Sequence, residues 1–321
     1  MYSRDIPNLF LVGPPKCGTT FLQAALVQSR HIFGPVIKEP QFFVFAPDRF
    51  AYSAGKNIPV IEQAYNKNAY MALFKEWGEE AFAIDASANQ LHGRNTAKRI
   101  FDANPDAKII AVLREPVARA YSHYLMMNRW GAVPEPLEEA LEIEQQEIQA
   151  LGEQPSALQY SFVRQSLYFD AVKSYLDVFG PANVRIYHFA DVTQNLPMIL
   201  KDLEEFLSVP LSYTNTIDGP KNSFRAPRSQ AASRLLAFYH TLPIKPLVNQ
   251  ITPRKLRNFV RTWFHRLNSK ETPKPPLSDV ARARILDLVG DDYPRTLQLV
   301  RDRGSLFEIE KRQPPHEWND R

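Results

Sequence analysis

The stretch Leu9-Phe-Leu-Val-Gly-Pro-Pro-Lys-Cys-Gly-Thr-Thr20 decides the fold of this chain. An apolar run, Leu9–Val12, enters a turn rich in glycine and proline, and the residues from Thr19 onward have the pattern of a helix. A loop that begins at Gly13 and closes at Gly18 can turn backbone N–H groups toward an anion, and the helix adds the positive end of its dipole. The stretch therefore predicts a strand, an anion-binding loop and a helix.

The lysine of this loop is not where ATP-binding loops have it. In the pattern G-x-x-x-x-G-K-[S/T], lysine follows the second glycine and the next hydroxyl binds magnesium. Here Thr19 follows Gly18, and Lys16 lies inside the loop. This difference disfavours a triphosphate-and-metal mechanism. It favours a donor whose transferred group carries little charge, such as a sulfuryl group, with Lys16 neutralising the charge on the leaving phosphate.

The composition is that of an ordinary globular protein. The chain has 321 residues, of which 44% are hydrophobic and 23% are charged. Its net charge of +4 is too small an excess to indicate a nucleic-acid partner. The single cysteine, Cys17, excludes an internal disulfide framework and a multi-cysteine metal site. No apolar run approaches the roughly 18 to 20 residues of a membrane span, so we expect a soluble, cytoplasmic protein.

Short apolar runs alternate with helical patterns along most of the chain. Such alternation is typical of parallel strands joined by crossover helices. We therefore predict an α/β fold, with a P-loop-like central parallel sheet flanked by helices. The predicted strands are 9–12, 82–85, 108–113 and 184–189, and the predicted helices are 19–29, 95–104, 117–130, 160–179 and 197–207.

The chain is predicted to form a single domain over residues 1–321. Its core covers about 6–230, a helical, basic C-terminal region covers about 231–307, and a polar tail covers 308–321. Within the core, the Glu- and Gln-rich segment 136–151 is expected to be a solvated helix. In the C-terminal region, 253–267 has an apolar face and a basic face, which fits a substrate-facing lid, a membrane-surface helix or a packed helix.

A second anion-binding motif is Arg114-Glu-Pro-Val-Ala-Arg-Ala-Tyr-Ser122. Arg114 follows the predicted strand 108–113 directly, which puts it at the edge where ligands bind in open α/β sheets. An arginine can donate two hydrogen bonds to a phosphate, and the Ser122 hydroxyl can donate another. Taken by itself, Arg114 would fit an ion pair with Glu115 or another carboxylate better than a phosphate contact.

Together these motifs resemble those of sulfotransferases that use 3′-phosphoadenosine 5′-phosphosulfate (PAPS). The loop is similar to the family's 5′-phosphosulfate loop, and the second motif is similar to its 3′-phosphate motif. The resemblance implies that Arg114 and Ser122 bind the 3′-phosphate of the donor and that no metal is required. Cys17 is then a small loop-packing residue rather than a nucleophile. The loop residues that would bind the donor are Pro15, Lys16, Cys17, Gly18, Thr19 and Thr20.

A candidate base lies in Lys38-Glu-Pro-Gln-Phe-Phe43. This stretch resembles the Lys-Glu-x-x-Phe-Phe motif of heparan-type carbohydrate sulfotransferases, and the resemblance implies that Glu39 is the catalytic base. A carboxylate within hydrogen-bond reach of a hydroxyl can take its proton. The alternatives are a surface Lys-Glu pair and, as rival bases, His31, His92 and His123.

Two further segments resemble the family less closely. Asp85-Ala-Ser87 matches a Glu-x-Ser-Pro motif loosely, and Ala86 replaces a basic residue of heparan-type members, which argues against a heparan-like acidic glycan acceptor. The segment 220–229 is similar to a loop that closes over the nucleotide. That similarity implies a contact of Arg225 or Arg228 with the 3′-phosphate and stacking of Phe224 on adenine.

The sequence thus predicts an enzyme that moves a sulfuryl group from PAPS to an acceptor hydroxyl, with Glu39 as general base and Lys16 at the leaving phosphate. The acceptor would be a carbohydrate, a lipid or polyketide, another small molecule, or a carrier-bound substrate. Two alternatives stay open: a P-loop nucleotide kinase or phosphotransferase, and a non-catalytic nucleotide-binding module.

Overall fold

A computed structural model describes most of the chain. The described residues are 6–45, 66–151, 160–213, 225–227, 229 and 269–307. Phe224, Arg228, the basic segment 253–267 and the polar tail 308–321 lie outside the described residues.

Five parallel strands form the central sheet. The strands are β1 Leu9–Val12, β2 Ile32–Phe33, β3 Phe82–Asp85, β4 Lys108–Leu113 and β5 Val184–His188. They lie in the order β2-β3-β1-β4-β5, so β1 is at the centre. The predicted strands at 9–12, 82–85 and 108–113 are confirmed, and the strand predicted at 184–189 ends a residue early because a helix begins at Phe189. A separate antiparallel pair joins β6 Arg225–Pro227 and β7 Ser269–Glu271.

Helices follow the strands in the alternating order that the sequence predicts. The prediction of one continuous helix over 160–179 is wrong in its first half, because 164–166 is a single 3-10 turn. The α-helices are α1 Thr19–Leu26, α2 Phe42–Phe45, α3 Lys67–Met71, α4 Thr96–Ala103, α5 Pro116–Arg129, α6 Leu137–Leu151, α7 Phe169–Phe179, α8 Phe189–Gln194, α9 Leu196–Leu207, α10 Asp279–Val289 and α11 Asp292–Asp302.

Both faces of the sheet are covered. Successive side chains of a strand point to opposite faces, and in β1 this places Phe10 and Val12 in one core with residues of α4 and α7. Leu9 and Leu11 enter the opposite core with residues of α1 and α9. The prediction of an α/β fold with a central parallel sheet flanked by helices is confirmed. Because the five strands are parallel, their carboxyl ends all lie at one edge of the sheet.

Helix α6 differs from its prediction. One face of this helix is buried rather than solvated, and it includes Leu137, Leu141 and Glu144. The Glu144 carboxylate accepts hydrogen bonds from the backbone N–H groups of Val163 (3.0 Å) and Arg164 (2.9 Å). Burial raises the pKa of Glu144 to about 7. The acidic residue at this position is therefore a cap for the 3-10 turn, which a polar composition does not reveal.

The C-terminal helices are bonded to the core. Asp292 at the start of α11 accepts hydrogen bonds from the backbone N–H groups of Tyr168 (2.5 Å) and Phe169 (3.2 Å), so it caps α7. Beyond α11 the chain pairs with β5: the N–H of Ile186 donates to the Ser305 carbonyl, and the N–H of Phe307 donates to the Ile186 carbonyl. The chain from α11 onward thus holds α7 and the outer strand in place.

We expect Asp292→Ala to lower the free energy of unfolding by about 1–2 kcal/mol, because it removes the cap of α7. The matched control is Asp291→Ala, since Asp291 makes only an exposed ion pair with Arg295 at 3.6 Å. That control should change stability by about 0.5 kcal/mol or less. Urea unfolding followed by circular dichroism measures both. Equal losses in the two variants would contradict the capping role.

Candidate functional site

The predicted site residues follow strands that are neighbours in the sheet. The loop 13–18 follows β1, Arg114 follows β4, and Asp85 ends β3. Strands β3 and β4 pair with β1 on its two sides. The sheet therefore brings the two predicted anion motifs to one edge, where α/β proteins bind ligands.

The backbone of the loop 13–18 has a glycine where two strands lie too close for a side chain, and it is left-handed at Lys16 and Gly18. A Cβ added to Gly13 would lie 2.7 Å from the Val112 carbonyl oxygen, so only glycine fits between β1 and β4. Lys16 has φ 79° and Gly18 has φ 82°, both in the left-handed region. Gly18 caps α1 without any side-chain hydrogen bond. Because no side chain caps them, the first N–H groups of α1 are placed to bind an anion.

A buried arginine, Arg119, donates a hydrogen bond to the backbone of the loop 13–18. The Arg119 side chain is 0% exposed, and its Nε donates to Ser166 Oγ at 2.7 Å. Its Nη1 donates to the Pro15 carbonyl at 3.3 Å, and its Nη2 donates to the Phe162 carbonyl. The sequence reasoning missed this residue. The available signal was a charge at helical spacing between Pro116 and His123, both of which are buried on α5.

Arg114 lies against the loop from β4. Its Nη1 donates to the Lys16 carbonyl at 3.3 Å, and its guanidinium is 4.3 Å from the Phe189 ring centroid. Phe189 also lies close to the loop, since a Cβ on Gly18 would be 3.0 Å from its ring. The Glu115 carboxylate accepts from the first backbone N–H groups of α5 at 2.9 and 2.6 Å, so it is a helix cap.

Lys16 lies near three other cations of the described residues. Burial and the positive charges of Arg114, Arg129 and Lys274 lower the pKa of Lys16 below its usual value. Lys274 Nζ lies 5.0 Å from the centroid of the Tyr121 ring. Arg129 and Lys274 were not predicted as site residues. Such a concentration of positive charge fits a ligand with several phosphate charges.

Ser122 lies on the helix that carries these groups. It is partly exposed on α5, next to Tyr121, and Arg129 lies seven residues further along the same helix face. The strand β6, which contains Arg225, contacts α5. Ser122 and the strand that contains Arg225 therefore both lie at α5, whereas Arg228 is outside the described residues.

Cys17 is packed under the loop. Its side chain is 0% exposed, and burial raises the pKa of the thiol to about 12. The charges of Arg119 and Arg114 oppose that rise but do not cancel it. The thiol is therefore neutral at physiological pH, and a neutral thiol is a poor nucleophile. This environment supports the prediction of a packing role.

Glu39 lies in a turn between β2 and α2. Its carboxylate Oε1 is 2.5 Å from Lys38 Nζ, and the Glu39 side chain is 37% exposed. The backbone N–H of Gln41 donates to Ser87 Oγ at 3.0 Å, and Ser87 follows the end of β3. This hydrogen bond ties the turn to the same sheet edge as the anion loop, since β3 pairs with β1.

The rival histidines are less suitable as bases. His123 is buried against Phe162, and burial holds its pKa well below the usual histidine value. His92 Nε2 is 2.8 Å from the Leu167 carbonyl, and burial lowers the pKa of His92 to about 4. His31 precedes β2, at the amino edge of the sheet, opposite the loop. Glu39 is the candidate that lies at the carboxyl edge and reaches solvent.

The described residues include neither a candidate metal site nor a membrane-spanning helix. They contain no group of three or more His, Cys, Asp or Glu side chains arranged to hold a metal ion. In the same part of the chain, no helix has the length and apolar character needed to cross a membrane.

We expect Cys17, the single cysteine of the chain, to resist iodoacetamide at about pH 8 in the folded protein, because the buried thiol is neutral there. It should react at the rate of a free thiol in urea. Mass spectrometry of the carbamidomethylated protein measures both rates. Fast alkylation of the folded protein would contradict this burial.

The chain is similar in sequence to known sulfotransferases. The model of the sulfotransferase domain matches residues 7–239. Bifunctional heparan sulfate N-deacetylase/N-sulfotransferase 3 of Homo sapiens is 27% identical over 215 residues, which are 64% of this chain and 22% of that protein. Membrane-associated sulfotransferase kil1 of Dictyostelium discoideum is 27% identical over 136 residues, or 39% of this chain and 24% of that protein. The chain thus spans about a quarter or less of the length of these two relatives.

A solved structure is similar to most of the chain. The crystal structure of a sulfotransferase from Alicyclobacillus acidocaldarius has a TM-score of 0.66 and 25% identity, and the match covers 92% of this chain and 96% of that one. The family model alone covers more than two thirds of the chain, from before β1 to beyond β6. The chain belongs to the sulfotransferase family.

Proposed function

We propose that this protein transfers a sulfuryl group from PAPS to a hydroxyl of an acceptor molecule. The observation that carries the proposal is the loop 13–18, in which Lys16 stands beside Arg114 at the uncapped start of α1. Family membership supports the same reaction. The position of Thr19 after Gly18 argues against a kinase, because magnesium-dependent loops have a lysine there.

The donor would bind across two strand ends. The N–H groups of α1 and the Lys16 side chain bind the 5′-phosphosulfate, and Arg114 and Ser122 bind the 3′-phosphate. The cations around Lys16 support this placement, since each phosphate added there offsets repulsion among them. Arg225 remains a candidate for a further 3′-phosphate contact because its strand lies against α5. Arg228 stays a prediction from the sequence.

In the proposed reaction, Glu39 takes the proton of the acceptor hydroxyl. The hydroxyl oxygen forms a bond to sulfur while the bond from sulfur to the 5′-phosphate oxygen breaks. Lys16 stabilises the negative charge that appears on the leaving phosphate. Holding both substrates in line supplies much of the acceleration that such a displacement needs. The reaction balances without a metal ion.

The acceptor is proposed to be a carbohydrate or another hydroxyl-bearing small molecule, including a carrier-bound one. Carbohydrate acceptors are supported by the name of one relative, carbohydrate sulfotransferase 15 of Mus musculus. Ala86 directly follows β3. The sequence resemblance implies a basic residue at this position in heparan-type members, so alanine here favours a less acidic acceptor. A single domain and a cytoplasmic location stay predictions.

The function is tested by donor preference. Purified protein is incubated with ³⁵S-labelled PAPS and a panel of N-acetylheparosan oligosaccharide, 4-nitrophenol and a long-chain alcohol, and in parallel with γ-labelled ATP and magnesium. We expect label to move from PAPS to at least one acceptor and no transfer from ATP. Transfer from ATP without transfer from PAPS would establish a kinase instead. Binding of 3′-phosphoadenosine 5′-phosphate (PAP), the nucleotide product of the reaction, without any sulfuryl transfer would indicate a non-catalytic module.

We expect Glu39→Gln to lower kcat by about 10²-fold or more, because the variant keeps the shape of the side chain but loses the general base. Its affinity for PAP, measured by calorimetry, should stay that of the wild type. The control is Glu79→Gln, which changes an exposed carboxylate before β3. A Glu39→Gln variant with wild-type kcat would rule out this base.

A further inference from the structure

The turn that carries Glu39 has an unusual backbone. Glu39 and Gln41 both have φ 57°, in the left-handed region, and Pro40 stands between them. Non-glycine residues avoid this region, and a turn that uses it twice persists only where the surroundings hold it. What holds this turn therefore determines where the Glu39 carboxylate lies.

A serine hydroxyl is the first anchor of the turn. Ser87 Oγ accepts the backbone N–H of Gln41 at 3.0 Å and donates its own proton to Asp85 Oδ1 at 2.7 Å. A hydroxyl has one proton and two lone pairs. Since the proton goes to Asp85, a lone pair is left facing the Gln41 N–H. The carboxylate thus fixes the direction of the hydroxyl, and hydrogen bonds to a charged acceptor are the stronger ones.

Asp85 is held on its other oxygen as well. Its side chain is 0% exposed, and Oδ2 accepts from Tyr70 OH at 2.8 Å and from Gln90 Nε2 at 3.0 Å. The ring of Tyr70 stacks on Phe42 at 4.5 Å between centroids. Phe42 begins α2, directly after the turn. Asp85 is therefore connected to the turn by two routes, through Ser87 and through Tyr70.

If stability were its only role, a buried carboxylate at position 85 would be unfavourable, because burial removes it from water. Burying a charge is unfavourable unless hydrogen bonds compensate it, and within the described part of the chain the side-chain donors to Asp85 are Tyr70, Ser87 and Gln90, none of them charged. These three neutral donors converge on it at the sheet edge where the anion loop also lies. The three hydrogen bonds fix the orientation of the Asp85 carboxylate.

We propose that Asp85, acting through Ser87, is a positioning residue that holds the turn 38–41 so that the Glu39 carboxylate meets the acceptor hydroxyl. This inference rests on the proposed role of Glu39 as general base. It assigns the loosely matching Asp85-Ala-Ser87 segment to the placement of the base rather than to direct contact with the acceptor.

The experiment is a double-mutant cycle with Ser87→Ala and Glu39→Gln. Each variant is assayed for transfer from ³⁵S-labelled PAPS to the panel acceptor with the highest wild-type turnover, and for PAP affinity by calorimetry. Exchange of the Gln41 amide with deuterium is followed in the same proteins. The matched control is Ser29→Ala: Ser29 is a buried serine whose Oγ donates to the Pro210 carbonyl and accepts from the His31 N–H, before β2.

We expect Ser87→Ala to lower kcat about tenfold or more, with PAP affinity unchanged and faster exchange at Gln41. The double variant should be no slower than Glu39→Gln alone, because Ser87 acts through that residue. Ser29→Ala should leave kcat and Gln41 exchange as in the wild type. Asp85→Asn, which keeps the volume but has fewer acceptor positions for the three donors, should lower kcat in the same direction.

Several outcomes would overturn the inference. Losses that multiply in the double variant, or unchanged exchange at Gln41 in Ser87→Ala, would remove the positioning role while leaving Glu39 as the base. A drop in kcat for Ser29→Ala as large as that for Ser87→Ala would reduce the effect to general destabilisation. Wild-type kcat in Glu39→Gln would reject the base itself, and this inference with it.

Discussion

The buried guanidinium of Arg119 is the constraint on which the site depends. A charged group without exposure is stable only while its hydrogen bonds are kept, and here the acceptors are the Pro15 and Phe162 carbonyls and the Ser166 hydroxyl. These acceptors belong to the anion loop and to the segment before α7. Glu144 caps that same segment from α6. The anion loop, the segment before α7 and the helices α5 and α6 are therefore joined by hydrogen bonds around the single charge of Arg119.

The positive charges of the site repel one another and so lower the stability of the ligand-free protein. Lys16 lies among Arg114, Arg129 and Lys274, and its pKa is lowered by burial and by these charges. Like charges held together by the fold repel one another, and an anion that binds among them removes this cost. A ligand that binds the folded protein alone adds to its stability in proportion to the logarithm of its concentration. An anion bound at this site would therefore stabilise the folded protein.

Much of the fold could be predicted because its signals are local. Strand β4 is apolar throughout, the glycines of the loop 13–18 mark a turn, and Pro116 marks the start of α5, so three elements and two anion motifs follow from short patterns. The contribution of Lys274 could not be found in this way. It lies more than 250 residues from Lys16 in sequence, and only the packing of the C-terminal region brings its charge near.

The buried polar groups were harder still to predict. Glu144 looks like an ordinary acidic residue, and its neighbours along the chain do not indicate that two backbone N–H groups will donate to it. The segment that holds Asp85 and Ser87 was noted in the sequence, but the hydrogen bonds of Asp85 to Tyr70 and Gln90 were not predicted. Their partners come from segments that are distant in sequence or follow a strand end. For the same reason, the polar composition of 136–151 suggested a solvated helix, although Leu137, Leu141 and Glu144 are buried. A helix that is acidic overall can still bury a face when one carboxylate has a partner inside.

The pairing of Ile186 with the chain near Leu306 has a consequence for self-association. An outer strand with unpaired backbone groups is a template for another chain, and proteins protect such edges by covering them or keeping them short. Here the residues after α11 occupy the free side of β5, and at the other border of the sheet β2 has only two residues. Shortening the chain before Ser305 would open the longer edge, so the C-terminal segment guards against aggregation in addition to its part in packing.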